Sequence, residues 1–422
     1  MCIRDRGKKL CRCAESPGST LDKYPLCIWK ILCQNKKLAS GRHEFVLRSD
    51  SQQCQIPRFG LFKSKIRICK IPTSSSWLAA SEHGFWPISR SANPKQFHDV
   101  LGVGKTMLQQ TAERFDGIIP QENIYVVTSE EFAGIVKEQL PFLKDEQILQ
   151  EPQRKNTAPC IAYAAYKIGK KNPNATLVVA PADHVILKEI AFQNHVRAAI
   201  ETAKEDVLVT LGILPTRPDT GYGYIQFQHG DGIAKTVKTF TEKPHLELAE
   251  AFLDSGDYVW NAGLFVFKIP VFKRELEKHL SRLAEQFDEG EAFYYTEEEN
   301  DFIRKVYAVC KSISIDNGIM EKAQIVKVIL ADIGWSDLGT WKSLYEIHEK
   351  DTNGNVIDGN VMVYDTNNCI IKTPENKLVV IQGLQNFIVA EHENALMICP
   401  QNQEQEVKKF VEAATYLNPK FS

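Results

Sequence analysis

The chain has 422 residues, longer than one ordinary domain, which predicts two or three domains and enough apolar content to bury a core. Its 43% hydrophobic and 25% charged residues exclude a fibrous or wholly disordered chain, and no apolar run approaches the roughly 18 residues that a membrane-spanning helix needs. A formal net charge of −2 argues against nucleic acid as a partner, yet the charge is uneven: residues 1 to 80 hold 16 Lys+Arg against 5 Asp+Glu, +11, leaving −13 for the remainder.

The same N-terminal stretch holds seven of the eleven cysteines: Cys2, Cys11, Cys13, Cys27, Cys33, Cys54 and Cys69. Cys11 and Cys13 stand one residue apart, no second pair has zinc-ligand spacing and no apolar signal core precedes them, which argues against a metal site or a disulfide framework. Residues 1 to about 73 show neither helical nor strand periodicity. After Phe85 the pattern turns regular. "NIYVVTS" (123 to 129) predicts a buried strand, "EEFAGIVKEQL" (130 to 140) an amphipathic helix and "QILQEP" (147 to 152) a second strand. "TAPCIAYAAYKIGKK" (157 to 171) predicts a helix with Thr157 and Pro159 near its start, and "ATLVVAPADH" (175 to 184) a buried strand ending in a polar turn. Strand and helix in alternation, with strands that are near-continuous apolar runs, predict an α/β domain whose mostly parallel sheet is covered on both faces. Ligands of such sheets bind beyond the carboxyl ends of the strands. From about residue 346 short strands alternate with turn residues every 8 to 12 positions, until a helix at "EQEVKKFVEAATYL" (404 to 417). That spacing predicts a small β-domain, a short solenoid closed by a helix.

The chemistry-bearing residues lie at strand ends. In "PADH" (181 to 184), Asp183 follows a buried strand, a position suited to holding a hard cation such as Mg²⁺; a role as a mere turn cap is equally open from this stretch alone. In "GWSDLGTW" (334 to 341), Asp337 sits in a glycine-flanked turn, and two such carboxylates from distant segments suit one Mg²⁺ that bridges phosphates. "RPDTGYGYI" (217 to 225) is a Gly-x-Gly loop where a ligand can approach the backbone. "FTEKP" (240 to 244) offers Glu242 to hydroxyls and Lys243 to a phosphate, although taken singly such residues are more often solvated strand-end charges. "VWNAGLFVF" (259 to 267) places Asn261 and Gly263 before an apolar strand, with the amide free to contact a sugar ring.

In order along the chain, "FWPISRSANPKQF", "EPQRKNTAPCIA", "PADHVI", "PTRPDTGYGYI", "FTEKP", "WNAGLFVF", "SIDNGIMEK" and "GWSDLGTW" resemble the bacterial mannose-1-phosphate guanylyltransferases, from Phe85 to about residue 415. The resemblance implies a Rossmann-like nucleotidyltransferase domain, residues 68 to 345, then a small left-handed β-helix-like domain with its closing helix, residues 346 to 422. It implies that GTP and mannose 1-phosphate are the substrates, GDP-mannose and pyrophosphate the products, and Mg²⁺ the cofactor. By the same resemblance Asp183 and Asp337 hold the metal, Lys95 and Lys243 contact phosphates, Glu151, Asn156 and Thr157 lie where guanine is read, and Gly223, Glu242 and Asn261 lie where the sugar sits. A cytoplasmic enzyme is expected, with neither nucleic acid nor membrane as partner, and a homodimer is compatible with it. Longer members of the family carry a C-terminal isomerase domain; the chain ends at Ser422, and no mannose-6-phosphate isomerase activity is expected.

One family feature is missing. A loop of the form A-G-G-x-G-[TS]-R should precede "FWP", its backbone N–H groups wrapping the nucleotide phosphates. Leu78, Ala79, Ala80, Ser81, Glu82, His83 and Gly84 stand there instead. Codons for "ICKIPTSSSWLAASEHGF", read two bases later, can spell M-Q-N-P-N-F-V-I-M-A-G-G-I-G-T-R-F, which points to a frameshift near Phe85 and to residues 1 to 67 as a non-native or disordered extension. Two rival readings follow: a nucleotide-sugar-binding homologue with impaired catalysis, or a related sugar-1-phosphate nucleotidyltransferase.

Overall fold

A computed structural model of the chain describes residues 3–5, 8–10, 66–71 and 84–421. Within the first 61 residues, strands β1 (Ile3–Asp5) and β2 (Lys8–Leu10) pair antiparallel. Residues 62 to 422 form one compact unit. Among the described residues its main sheet has nine strands: β3 (Ile66–Ile71), β4 (Ile124–Ser129), β5 (Ile148–Glu151), β6 (Thr176–Pro181), β8 (Leu208–Ile213), β9 (Tyr224–Phe227), β10 (Ala234–Thr241), β11 (Tyr258–Lys268) and β12 (Val326–Leu330). Their spatial order is β5-β4-β3-β6-β11-β8-β12-β10-β9. The short β7 (Val185–Ile186) and β13 (Trp335–Ser336) pair with each other outside it.

From β5 to β6 all pairings are parallel, as is β12 with β8. The sheet turns antiparallel where β11 is inserted between β6 and β8, and again along β12, β10 and β9. Successive residues of a strand face opposite sides, so each apolar run feeds two cores. Tyr125, Val127, Leu177, Val179, Phe265 and Phe267 face helices α3 (Thr157–Lys171), α6 (Ile269–Asp288) and α7 (Glu299–Val309). Ile124, Val126, Val178, Ala180, Leu264 and Val266 face α1 (Met107–Glu113), α2 (Ala133–Gln139) and α4 (Glu189–Thr202), while α5 (Leu246–Ser255) packs on Tyr224 and Trp260. The strands read as continuous hydrophobic stretches because both faces are covered.

The place between β4 and β6 belongs to β3, so Ile66 and Arg67 already lie in the sheet, ahead of the expected boundary at 68. Apart from β1, β2 and those two residues, the expectation for residues 1 to 67 falls outside the described residues.

Beyond α8 (Trp341–Ile347), strands β14 (Val356–Asp358), β16 (Ile370–Lys372) and β18 (Phe387–His392) stack in parallel, with β19 (Ala395–Pro400) antiparallel to β18. β15 (Val361–Tyr364) pairs in parallel with β17 (Val379–Gln382), giving the coils of a β-helix-like domain closed by α9 (Val407–Leu417). A third core ties it to the α/β body: Phe85, Trp86, Ile88 and Trp341 are buried together with Ile370, Ile388, Met397, Val407 and Val411. The Trp86 indole donates to the Phe421 carbonyl at 2.8 Å, and Arg90 to the carbonyls of Lys420 at 3.0 Å and His392 at 3.1 Å. Among the described residues no helix is long and apolar enough to cross a membrane, and Cys160, Cys310, Cys369 and Cys399 are buried.

Candidate active site

Asp183 lies two residues past the end of β6 and Asp337 directly after β13. The β7–β13 pairing matches Ser336 with Val185, and this register draws the two acidic turns together although 154 positions separate them in the sequence. Between them stands Lys95, from the short turn Lys95–Phe97. Its ammonium pairs with Asp183 Oδ2 at 3.2 Å and donates to the main-chain carbonyls of Asp337 at 2.7 Å and Leu338 at 3.2 Å, with both charged side chains nearly buried. Asp337 Oδ1 accepts from the Tyr222 hydroxyl at 2.9 Å and from the Gly339 amide at 3.1 Å. His184 steadies the other turn: its Nδ1 accepts from the Trp335 indole at 3.2 Å and its carbonyl from Arg114 at 2.9 Å. Burial keeps the imidazole below its ordinary pKa, in keeping with a neutral ring that accepts at Nδ1.

These residues open onto a cleft of about 680 Å³ whose lining includes Lys95, Asn156, Thr157, Asp183, Lys243 and Asp337. Asn156 has φ +71° and caps α3 by accepting from the Thr157 amide at 2.7 Å. The Thr157 hydroxyl accepts from the Ile315 amide at 2.8 Å, which ties the helix start to the segment carrying Asp316. Glu151 is not in the cleft lining. It is buried and accepts from the Tyr307 hydroxyl at 2.9 Å, and burial raises its pKa to about 7.

Gly223, Glu242, Lys243, Asn261 and Asp316 line an adjoining pocket of about 210 Å³. A Cβ on Gly223 would lie 2.5 Å from Glu242 Oε2, so a side chain at 223 would push this carboxylate back from the loop. Asn261 Oδ1 accepts from Thr210 and from the Gly263 amide, each at 3.1 Å, while its amide donates to Asp316 Oδ1 at 3.0 Å. The strand expected to start after Asn261 and Gly263 begins at Tyr258 instead; its register shifts between Asn261 and Phe265, with Gly263 at φ +69°, and this bulge presents Asn261 to the pocket. Burial, then the proximity of Asp316, pushes Glu242 up to about 8; burial likewise raises Asp316 to about 6.

Among the described residues no group of three or more His, Cys, Asp and Glu is placed to hold a metal. Two converging carboxylates nevertheless fit a hard cation that keeps several waters and takes its remaining oxygens from substrate phosphates. Tyr222 and Asp316 belong to the site but carry no signal of their own: both lie in quoted motifs, "RPDTGYGYI" and "SIDNGIMEK", where only the fold shows which side chains reach the cleft.

The nucleotidyl transferase family matches residues 83–354, and the MannoseP isomerase/GMP-like β-helix domain matches residues 359–413. The mannose-1-phosphate guanylyltransferase of Klebsiella pneumoniae is 37% identical over 78% of the chain and 70% of its own length. The alginate biosynthesis protein AlgA of Pseudomonas putida is 40% identical over 77% of the chain and 68% of its own length. A crystal structure described as mannose-1-phosphate geranyltransferase from Thermus thermophilus superposes with a TM-score of 0.74 at 28% identity, covering 83% of the chain and 99% of that protein. Motifs, fold and cleft agree with these similarities, and the chain belongs to the mannose-1-phosphate guanylyltransferase family of nucleotidyl transferases.

Proposed function

We propose that the chain joins mannose 1-phosphate to the guanylyl group of GTP. An oxygen of the sugar phosphate attacks the α-phosphorus in line, the bond to the bridging β-oxygen breaks, and pyrophosphate leaves as GDP-mannose forms. The observation that carries this reading is the Lys95–Asp183–Asp337 constellation between the wall of Asn156 and Thr157 and the pocket of Gly223, Glu242 and Asn261. Reacting phosphates fit between a base site and a sugar site, and positioning with charge neutralisation supplies the rate. Mg²⁺ held by Asp183 and Asp337 would neutralise charge on the transferring phosphate. Lys95 ties the Asp183 carboxylate to the backbone of Asp337, Tyr222 orients Asp337, and Lys243 adds a cation facing both pockets. Asn156 and Thr157 contact the nucleotide, and Glu151 acts from behind them through the shape of the turn. We place the reaction in the cytoplasm.

The test is pyrophosphate release from GTP that requires both mannose 1-phosphate and Mg²⁺, with ATP and glucose 1-phosphate as competitors. Faster release with either competitor would move the assignment to a related nucleotidyltransferase. Tight binding of GTP and GDP-mannose without turnover would favour a non-catalytic homologue, the reading motivated by the residues at 78 to 84.

A further inference from the structure

The substrates proposed above have four parts: a base, a reacting phosphate, a sugar and the pyrophosphate that leaves. The first three have walls in the cleft. A fourth stretch of its lining, formed by Thr340, Lys342, Ser343, Glu404, Gln405 and Lys408, has no occupant in that scheme. It joins the start of α8, in the catalytic domain, to the start of α9, beyond the β-helix coils.

This wall is built rather than incidental. Thr340 caps α8 by accepting from the Ser343 amide at 3.3 Å. Glu404 Oε2 accepts from the Lys342 amide at 2.9 Å, and Thr340 also hydrogen-bonds this carboxylate. Its charge is therefore committed to the first turn of α8, and burial raises its pKa. Beneath it, Trp341 and Val407 share the core that holds the two domains together. What remains facing the cleft is cationic. Lys342 is exposed and Lys408 half-buried, and among the described residues neither ammonium forms a hydrogen bond or an ion pair. Lys342 also attracts the Glu404 carboxylate electrostatically, but that carboxylate already has its hydrogen-bond donors, so two ammonium groups without a hydrogen bond or ion pair of their own make a site for a polyanion.

We propose that Lys342 and Lys408 bind the pyrophosphate end of GTP, so that the C-terminal domain completes the nucleotide site. The inference rests on the reading of the cleft as a GTP site. It differs in that it assigns substrate contact to a residue of the β-helix-like domain.

The test is equilibrium binding of GTP, GMP and inorganic pyrophosphate to the full chain at fixed ionic strength. The variants are Lys342→Gln, Lys408→Gln and the pair together, each checked by thermal melting, with Lys409→Gln as control because Lys409 pairs with Glu406 instead. Each single variant should weaken GTP and pyrophosphate by about tenfold, the loss expected of one charge-assisted hydrogen bond, and the pair by about a hundredfold. GMP binding and the control should change less than about twofold on the same scale. Equal losses for GTP and GMP, or no loss for either, would overturn the proposal while leaving the GTP site intact. If the unsubstituted chain binds no guanine nucleotide at all, the guanylyltransferase reading itself fails and the proposal falls with it.

Discussion

The Lys95 ammonium donates to the main-chain carbonyl of Asp337 at 2.7 Å across 242 positions of sequence. The same nitrogen pairs with the Asp183 carboxylate, so a single cation ties one acidic turn to the backbone of the other. Replacing it by an apolar side chain would leave Asp183 buried without its ammonium, and breaking a buried pair on one side costs about 3–5 kcal/mol. Lys95→Met should therefore lower stability in urea unfolding by about that much and lose turnover as well. Unchanged stability would show that Lys95 serves only the ligand.

Asp337→Asn is the cleaner probe of the metal, because an amide oxygen can still accept from Tyr222 and Gly339 while the charge is lost. Turnover should fall by about 10²-fold or more with melting temperature nearly unchanged, and Mg²⁺ should no longer stimulate it. Asp183→Asn should lose activity alike but also lose part of the Lys95 pairing. Near-normal Mg²⁺-dependent rates in either variant would refute the ligand assignment.

Glu242 carries the pH dependence of the sugar pocket. Its carboxyl is raised from the ordinary 4.5 to about 8, so the folded state favours the neutral form. Its contribution to stability is full below pH 4.5 and is lost as pH rises through about 8. Glu242→Gln stays neutral throughout, so the variant's melting temperature should gain on the unsubstituted protein between pH 5 and pH 8.5, while KM for mannose 1-phosphate rises. A melting difference that stays flat over that range would contradict the shift.

The stretch 78 to 84 should limit the rate. Loss of one preorganised donor in such a site costs about 10²–10³ in rate, and here several are replaced. Exchanging these seven residues for AGGIGTR should raise GTP-dependent pyrophosphate release by more than about 10²-fold. β3, the strand before this stretch, reads "IRICKI" between neighbours that are apolar runs, whereas the shifted frame offers "NFVIM" directly before the glycines. Equal rates from the two chains would make the loop dispensable.

Where periodicity and end signals coincide, the sequence was a good guide. α3 occupies the predicted 157 to 171, with Asn156 as its cap, and β4 starts one residue after its predicted position. The direction of β11 was not legible, because an apolar run looks the same parallel or antiparallel. The convergence of Asp183 and Asp337 was expected from strand-end carboxylates and from the family resemblance, but the element that produces it, a two-residue pairing, is too short to leave a period. Glu151 is expected near the base by the family resemblance. It ends β5 with its side chain on the Tyr307 hydroxyl and is not among the residues that line the cleft. Lys342 and Lys408 gave no sign at all, since only the docking of a separate domain brings them to one wall.

The carbonyls of Lys420 and Phe421 are gripped by Arg90 and Trp86, side chains that belong to the first turns of the catalytic body. The backbone therefore leaves this fold from a fixed point and in a fixed direction. A reporter or affinity tag fused directly after Ser422 would inherit that orientation and compete with the grip, whereas a flexible spacer of several glycines would spare it. Fusion geometry, and not only catalysis, is thus written into the residues that follow Phe85.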